Sequence, residues 1–156
     1  MRTRGPPVPD EPLRARRENP LRAFVVEDSP LILERLVTTL EELAPVRVVG
    51  TAADEASAVA WLERDGRRCD LVLVDIFLRS GTGLGVLRAA TNLSVSGRRV
   101  VLTNYATADI REACGSLGAD RVFDKSAEIE GLLDYCERLH QRGGPATGTG
   151  PWTSSA

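Results

Sequence analysis

Lys125 is the only lysine among the 20 basic residues of this chain, the rest being arginine. Guanidinium is a planar fork, whereas an ammonium is a compact point charge on a flexible stem. A lysine kept in so arginine-rich a chain therefore points to a tight site. It closes the short apolar run Arg121-Val122-Phe123-Asp124, and four other reactive groups stand in the same position relative to apolar runs of their own: Glu27, Asp28, Asp75 and Thr103. Three carboxylates brought into one small site need protons or a cation. Two like charges roughly 4 Å apart repel by about 4 kcal/mol at an effective dielectric near 20. An all-oxygen donor set that leaves room for water and phosphate oxygens suits Mg²⁺. Thr103 and Lys125 would then be spare donors aimed at an anion. A hydroxyl, an ammonium and a divalent cation around one carboxylate make a phosphoryl-binding site, and Asp75, after the most apolar run, is best placed as its nucleophile. Taken singly, each residue has a plainer reading: Asp75 as a helix cap, Glu27-Asp28 as charges favouring a helix N-terminus. The agreement of all the strand ends is what makes a site.

The elements that must position these groups alternate five times. Leu21–Glu27 is a continuous apolar run. Ser29 and Pro30 then supply an N-cap and a first-turn proline for a helix whose stripe is expected to be Leu31, Ile32, Leu36, Val37, Leu40 and Leu43. Arg47–Ala52 reads as a second strand, followed by a helix capped by Asp54 that presents Ala58, Trp61 and Leu62. Leu71–Asp75 reads as a fully buried central strand. Gly81-Thr82-Gly83 precedes a helix through Leu84 and Leu87. Arg99–Thr103 and Arg121–Asp124 are the last strands, with helices at Ala108–Leu117 and Glu128–Arg142. Five such units predict an α/β fold, an open, doubly wound five-stranded parallel sheet with helices on both faces. Ligands of these sheets bind beyond the carboxyl ends of the strands.

Length and charge bound the rest. The 156 residues suit one domain over 21–142. An Arg/Pro-rich tail over 1–20 is expected to be disordered, and a Gly/Pro/Ser/Thr tail over 143–156, with Trp152, flexible. The formal charge of −2 divides unevenly: residues 1–22 carry +3, leaving 23–142 acidic at −5, which argues against a nucleic-acid surface. Cys69, Cys114 and Cys136 form no metal-ligand pattern and are expected to be buried thiols in a reducing compartment. No apolar run approaches the roughly 20 residues of a membrane span, and no apolar segment follows the N-terminal arginines as in a secretory signal. The expected location is cytoplasmic.

The stretches VVEDSP, LVLVDIFLRSGTG, VVLTNY and VFDKS, in this order, resemble the receiver domain of two-component response regulators, the CheY-like, flavodoxin-like fold, over roughly residues 21–140. The resemblance implies that Asp75 accepts a phosphoryl group from the phosphohistidine of a sensor kinase. It implies that Glu27, Asp28, Asp75 and the main-chain carbonyl of Phe77 hold Mg²⁺, and that Thr103 and Lys125 contact the phosphoryl oxygens. Several residues depart from the family pattern. Glu27 replaces the first of two frequent aspartates, Arg79 and Ser126 stand where proline is common, and Asn104 follows the threonine where a small residue is usual. Val122 takes the place of an aromatic switch residue; Phe123 next to it should face the opposite side of the sheet, which leaves Tyr105 as the candidate aromatic.

The 14-residue tail is too short for an output domain, so the expectation is a stand-alone receiver, not a dedicated enzyme, signalling by protein contact or as a phosphorelay member. The partners would be a sensor histidine kinase or phosphotransfer protein and a downstream protein, with no nucleic acid and no membrane insertion. The alternative is a pseudo-receiver that keeps the fold as an interaction module. A haloacid-dehalogenase-type phosphatase needs a second aspartate two residues after the nucleophile, where this chain has Phe77. Gly81-Thr82-Gly83-Leu84-Gly85 lacks the third glycine of a dinucleotide fingerprint, and His140, the only histidine, is expected to interact with its helix C-terminus.

Overall fold

The computed structural model describes residues 19–143. The tails proposed for 1–20 and 143–156, Trp152 included, lie outside the described residues except at Asn19, Pro20 and Gly143.

Five strands, β1 (Leu21–Val26), β2 (Val46–Ala52), β3 (Leu71–Val74), β4 (Arg98–Thr103) and β5 (Arg121–Asp124), alternate with α1 (Pro30–Leu43), α2 (Glu55–Asp65), α3 (Gly83–Asn92), α4 (Ala108–Ser116) and α5 (Ile129–Gln141). All pairings are parallel, in the order β2-β1-β3-β4-β5. This is the doubly wound sheet expected from the alternation of apolar runs and helical segments. Its central strands are buried on both faces. Ala23 and Val25 of β1 pack toward α1 and α5, whereas Phe24 and Val26 pack toward α2 and α3. Such two-sided burial demands a continuous apolar run rather than an alternating one, as Leu71–Val74 also displays.

Helix starts follow the capping residues. The side chains of Ser29, Asp54, Thr82 and Thr107 each accept a main-chain N–H three residues on, from Ile32, Ser57, Gly85 and Ile110. The cap carboxylate of Asp54 is held below the usual aspartate range by its hydrogen bonds from Ser57.

Three expectations need correction. The core-facing stripe of α1 is Leu33, Leu36 and Leu40, continued by Ala44; Leu31 and Leu43 are more than half exposed and Ile32 is 37% exposed. Leu31-Ile32-Leu33 offers three consecutive apolar side chains, and only the one in phase with Leu36 and Leu40 meets the sheet. His140 directs Nε2 to the carbonyl of Asn19 at 3.1 Å rather than to the end of its own helix, because α5 ends beside the start of β1. Leu71–Val74 stops one residue before Asp75, which begins the following loop. The three cysteines are buried as expected, and burial pushes the Cys136 thiol up to about 12. No helix among the described residues is long and apolar enough to cross a membrane.

The corrected stripe has a measurable consequence. Leu40→Ala, at a fully buried position, is expected to cost about 2–5 kcal/mol, whereas Leu31→Ala should stay within about 0.5 kcal/mol. Urea unfolding of the two variants checks this, and equal costs would restore the original stripe.

Candidate functional site

The site forms where β1, β3, β4 and β5 end. The main-chain N–H of Glu27 donates to the Ala52 carbonyl at 2.9 Å, and that of Asp75 to the Val26 carbonyl at 3.0 Å. The two acidic loops are thereby stitched to neighbouring strand ends. Glu27 and Asp75 are buried and Asp28 half-buried. One carboxylate oxygen from each of the three lies within 4.8 Å of the others. At the far end of the Asp75 loop, a Cβ at Gly83 would collide with the Asp75 carbonyl and the Val74 side chain. Glycine there lets α3 start against the end of β3, with Gly83 N–H donating to the Ile76 carbonyl at 2.9 Å.

Lys125 arrives from the edge strand. Its main-chain N–H donates to the Thr103 carbonyl at 2.9 Å, and its Nζ lies 2.7 Å from Glu27 Oε1 and 3.0 Å from Asp75 Oδ2. Burial draws the Lys125 ammonium down, but hydrogen bonds and charge from Glu27 and Asp75 outweigh it, and the lysine sits above its ordinary 10.5. The stabilisation from this pairing is full below 10.5 and is lost only as pH climbs through the raised folded value, so it persists throughout the neutral range. The donor expected to face an anion rests here on the carboxylates of Glu27 and Asp75. In a cleft that excludes much of the water, an ammonium within reach of two carboxylates pairs with them first.

The second oxygens of Glu27 and Asp75 are also engaged. Glu27 Oε2 accepts Ser29 N–H at 3.1 Å, and Asp75 Oδ1 accepts Phe77 N–H at 3.3 Å. Thr103 is fully buried, and its Oγ1 accepts the N–H of Tyr105 at 3.2 Å while its own proton is available to another acceptor. Phe77 and Tyr105, both more than half exposed, meet edge to face with ring centroids 5.1 Å apart beside the cleft. Val122 packs with Ile110 and Leu117 toward α4, and Phe123 lies on the opposite face with α5, as strand alternation required.

Two supports were not read from the sequence. Glu128 Oε1 accepts the N–H of Asp124 at 2.7 Å and pairs with Arg111 at 3.0 Å; both hold its carboxyl below the usual range. Arg111 also donates to the carbonyls of Ala106 and Val122. Glu55 accepts the Thr82 N–H at 2.9 Å. Their partners are mostly main-chain groups, which leave no side-chain signal to find.

A family model of the response regulator receiver domain matches residues 23–137. The chain belongs to that family. It is 33% identical over 117 residues to the nitrate/nitrite response regulator protein NarP of Escherichia coli K12, covering 74% of this chain and 53% of that one. Among solved structures it resembles the BeF3-activated N-terminal receiver domain of Klebsiella pneumoniae RstA. The identity there is 26% and the TM-score 0.67, with 78% of this chain and 98% of that chain covered. It also resembles the receiver domain of a Pseudomonas aeruginosa sensor histidine kinase with magnesium coordinated in its active-site cleft. That match has 26% identity and a TM-score of 0.63, covering 76% of this chain and 98% of that chain. The chain spans about half the length, or less, of the curated relatives it matches. The fold is CheY-like, and the domain is a component of two-component signalling.

The receiver's donor set fits a hard divalent cation. Three carboxylates from two loops supply oxygen alone, and their mutual repulsion, roughly 3.5 kcal/mol per pair at an effective dielectric near 20, exceeds what one ammonium balances. Removing that ammonium exposes the strain. Lys125→Met is expected to destabilise the domain by about 3 kcal/mol at neutral pH without added cation, and Asp75→Asn in the same chain should recover about half. Urea unfolding of the single and double variants measures both, and strictly additive losses would show that the two side chains act independently.

Proposed function

We propose that this receiver takes a phosphoryl group onto Asp75 from the phosphohistidine of a sensor kinase or phosphotransfer protein. Glu27, Asp28, Asp75 and the main-chain carbonyl of Phe77 would hold Mg²⁺. The observation that carries the reading is the convergence of Lys125 Nζ with Asp75 Oδ2 beside the Glu27–Asp28–Asp75 cluster. When bound, the cation offsets the charge of the carboxylates and of the transferring oxygens.

The chain's own residues account for the rest. A carboxylate oxygen of Asp75 attacks phosphorus as the phosphorus–nitrogen bond breaks, and the bonding electron pair leaves with the imidazole. Lys125 then exchanges a carboxylate contact for a phosphoryl oxygen, and the Thr103 hydroxyl donates to another. Because Tyr105 N–H is bonded to Thr103 Oγ1, drawing the hydroxyl inward pulls the β4–α4 loop with it. This biases an equilibrium between two arrangements of the surface around α4, β5 and α5. A downstream protein reads that surface by contact.

Incubation with a phosphorylated sensor kinase or a small phosphodonor is expected to label the wild-type chain only with Mg²⁺, and Asp75→Asn should carry no label. Labelling that survives in Asp75→Asn would sink the assignment. A chain that binds its partner without ever taking label would be a pseudo-receiver. Lys125→Arg keeps the charge but replaces a point donor by a fork; it should fold normally and lose the response of a downstream reporter, whereas a fully active arginine variant would remove the special role of lysine.

A further inference from the structure

The loop that carries Phe77 has no proline between Asp75 and Gly83 to restrict it, so its shape must be imposed from outside. Glu55 does this from a different element. It is the first residue of α2, immediately after the N-cap Asp54. Its main-chain N–H donates to the Ser80 carbonyl at 3.2 Å, and its side-chain Oε1 accepts the Thr82 N–H at 2.9 Å. One residue therefore grips both sides of Gly81.

The surroundings are shaped for that side chain. Gly81 has φ +77, a left-handed conformation that favours glycine, and a Cβ there would collide with the Glu55 side chain. A Cβ at Gly85, in the first turn of α3, would collide with the Glu55 carboxylate. The other end of the loop is closed by Phe77 N–H on Asp75 Oδ1 and by the Phe77–Thr82 bridge. Thr82 is thus shared: it pairs with Phe77 and is held by Glu55. The end of β2, three residues before Glu55, also supports the other acidic loop, since the Ala52 carbonyl accepts the Glu27 N–H.

We propose that Glu55 is a positioning residue for the cation site. It touches neither the ion nor the carboxylates, and it acts by holding Thr82, and through it Phe77, at the spacing that lets the Phe77 carbonyl serve beside Asp75. This rests on the reading of Glu27, Asp28, Asp75 and the Phe77 carbonyl as the Mg²⁺ ligands.

The test is a calorimetric titration with Mg²⁺ of the wild type, Glu55→Ala, Glu55→Gln and Gly85→Ala, with thermal midpoints and amide exchange at Thr82 read without the ion. Glu55→Ala should bind Mg²⁺ about tenfold more weakly and exchange the Thr82 amide faster. Glu55→Gln, which keeps the acceptor oxygen, should remain within about threefold of wild type. Gly85→Ala favours the helix but pushes the Glu55 carboxylate aside, so it should weaken Mg²⁺ binding without lowering the thermal midpoint; this variant carries the test should Glu55→Ala not fold. Wild-type affinity in Glu55→Ala or Gly85→Ala would overturn the role of Glu55, even if the midpoint falls. Equal weakening in Glu55→Gln and Glu55→Ala would overturn it too, because the charge rather than the hydrogen bond would then be at work. A wild-type chain that binds no Mg²⁺ fails the ligand reading itself, an outcome distinct from wild-type binding that is indifferent to Glu55.

Discussion

One ammonium stands between two buried carboxylates, and the arrangement of the sheet is what makes that possible. Glu27 leaves β1, Asp75 leaves the adjacent β3, and Lys125 leaves β5, with β4 in between. Two strand spacings, roughly 9–10 Å, separate the lysine's strand from that of Asp75. The contact forms because Lys125 lies just beyond the strand end and has a long unbranched stem. Its main chain is tied to Thr103, so the ammonium starts from a fixed point. Without that charge the three carboxylates face one another in a cleft where water screens poorly. The order of the strands, the tight start of α3 at Gly83 and the register of β4 with β5 all serve this one contact.

The same contact explains why the site tolerates its own instability. Lys125 balances one negative charge of three, and the surplus favours a further cation. A site fully neutralised by its own side chains would have no electrostatic reason to take a metal ion or a phosphoryl group. The position of Lys125 above its ordinary value shows that the carboxylates dominate the local field even after burial has worked against the ammonium.

Much of this was legible in the sequence, for a physical reason. A doubly wound parallel sheet places every strand's carboxyl end on one edge, so reactive residues at the ends of four apolar runs had to converge whatever the details of packing. Glu27, Asp28, Asp75, Thr103 and Lys125 were found that way. Burial of α1 was misjudged because Leu31, Ile32 and Leu33 are equally apolar, and only contact with the sheet separates them. The pairing of Lys125 with Glu27 was not legible because the sequence lists donors and acceptors without saying which are closest. Glu55, Arg111 and Glu128 were invisible for a different reason. They act chiefly on main-chain N–H and carbonyl groups, which every residue carries, so no residue type at the far end betrays the contact.

Main-chain contacts of this kind also bear on the missing aromatic at position 122. A bulky ring on β5 would link the site to α4 through packing; Val122 packs against the same cluster as Ile110 and Leu117 but fills less space. Arg111 spans the same gap by another means. From α4 it holds the Ala106 carbonyl of the β4–α4 loop, the Val122 carbonyl of β5 and the Glu128 carboxylate, which in turn holds the Asp124 N–H next to Lys125. Hydrogen bonds to charged groups are directional and stronger than neutral ones. Arg111 therefore ties α4 to the turn bearing Lys125 by hydrogen bonds rather than by packing. In this chain α4 and the turn bearing Lys125 are joined by hydrogen bonds of Arg111 and Glu128 to the backbone, beside a side chain at position 122 that is small.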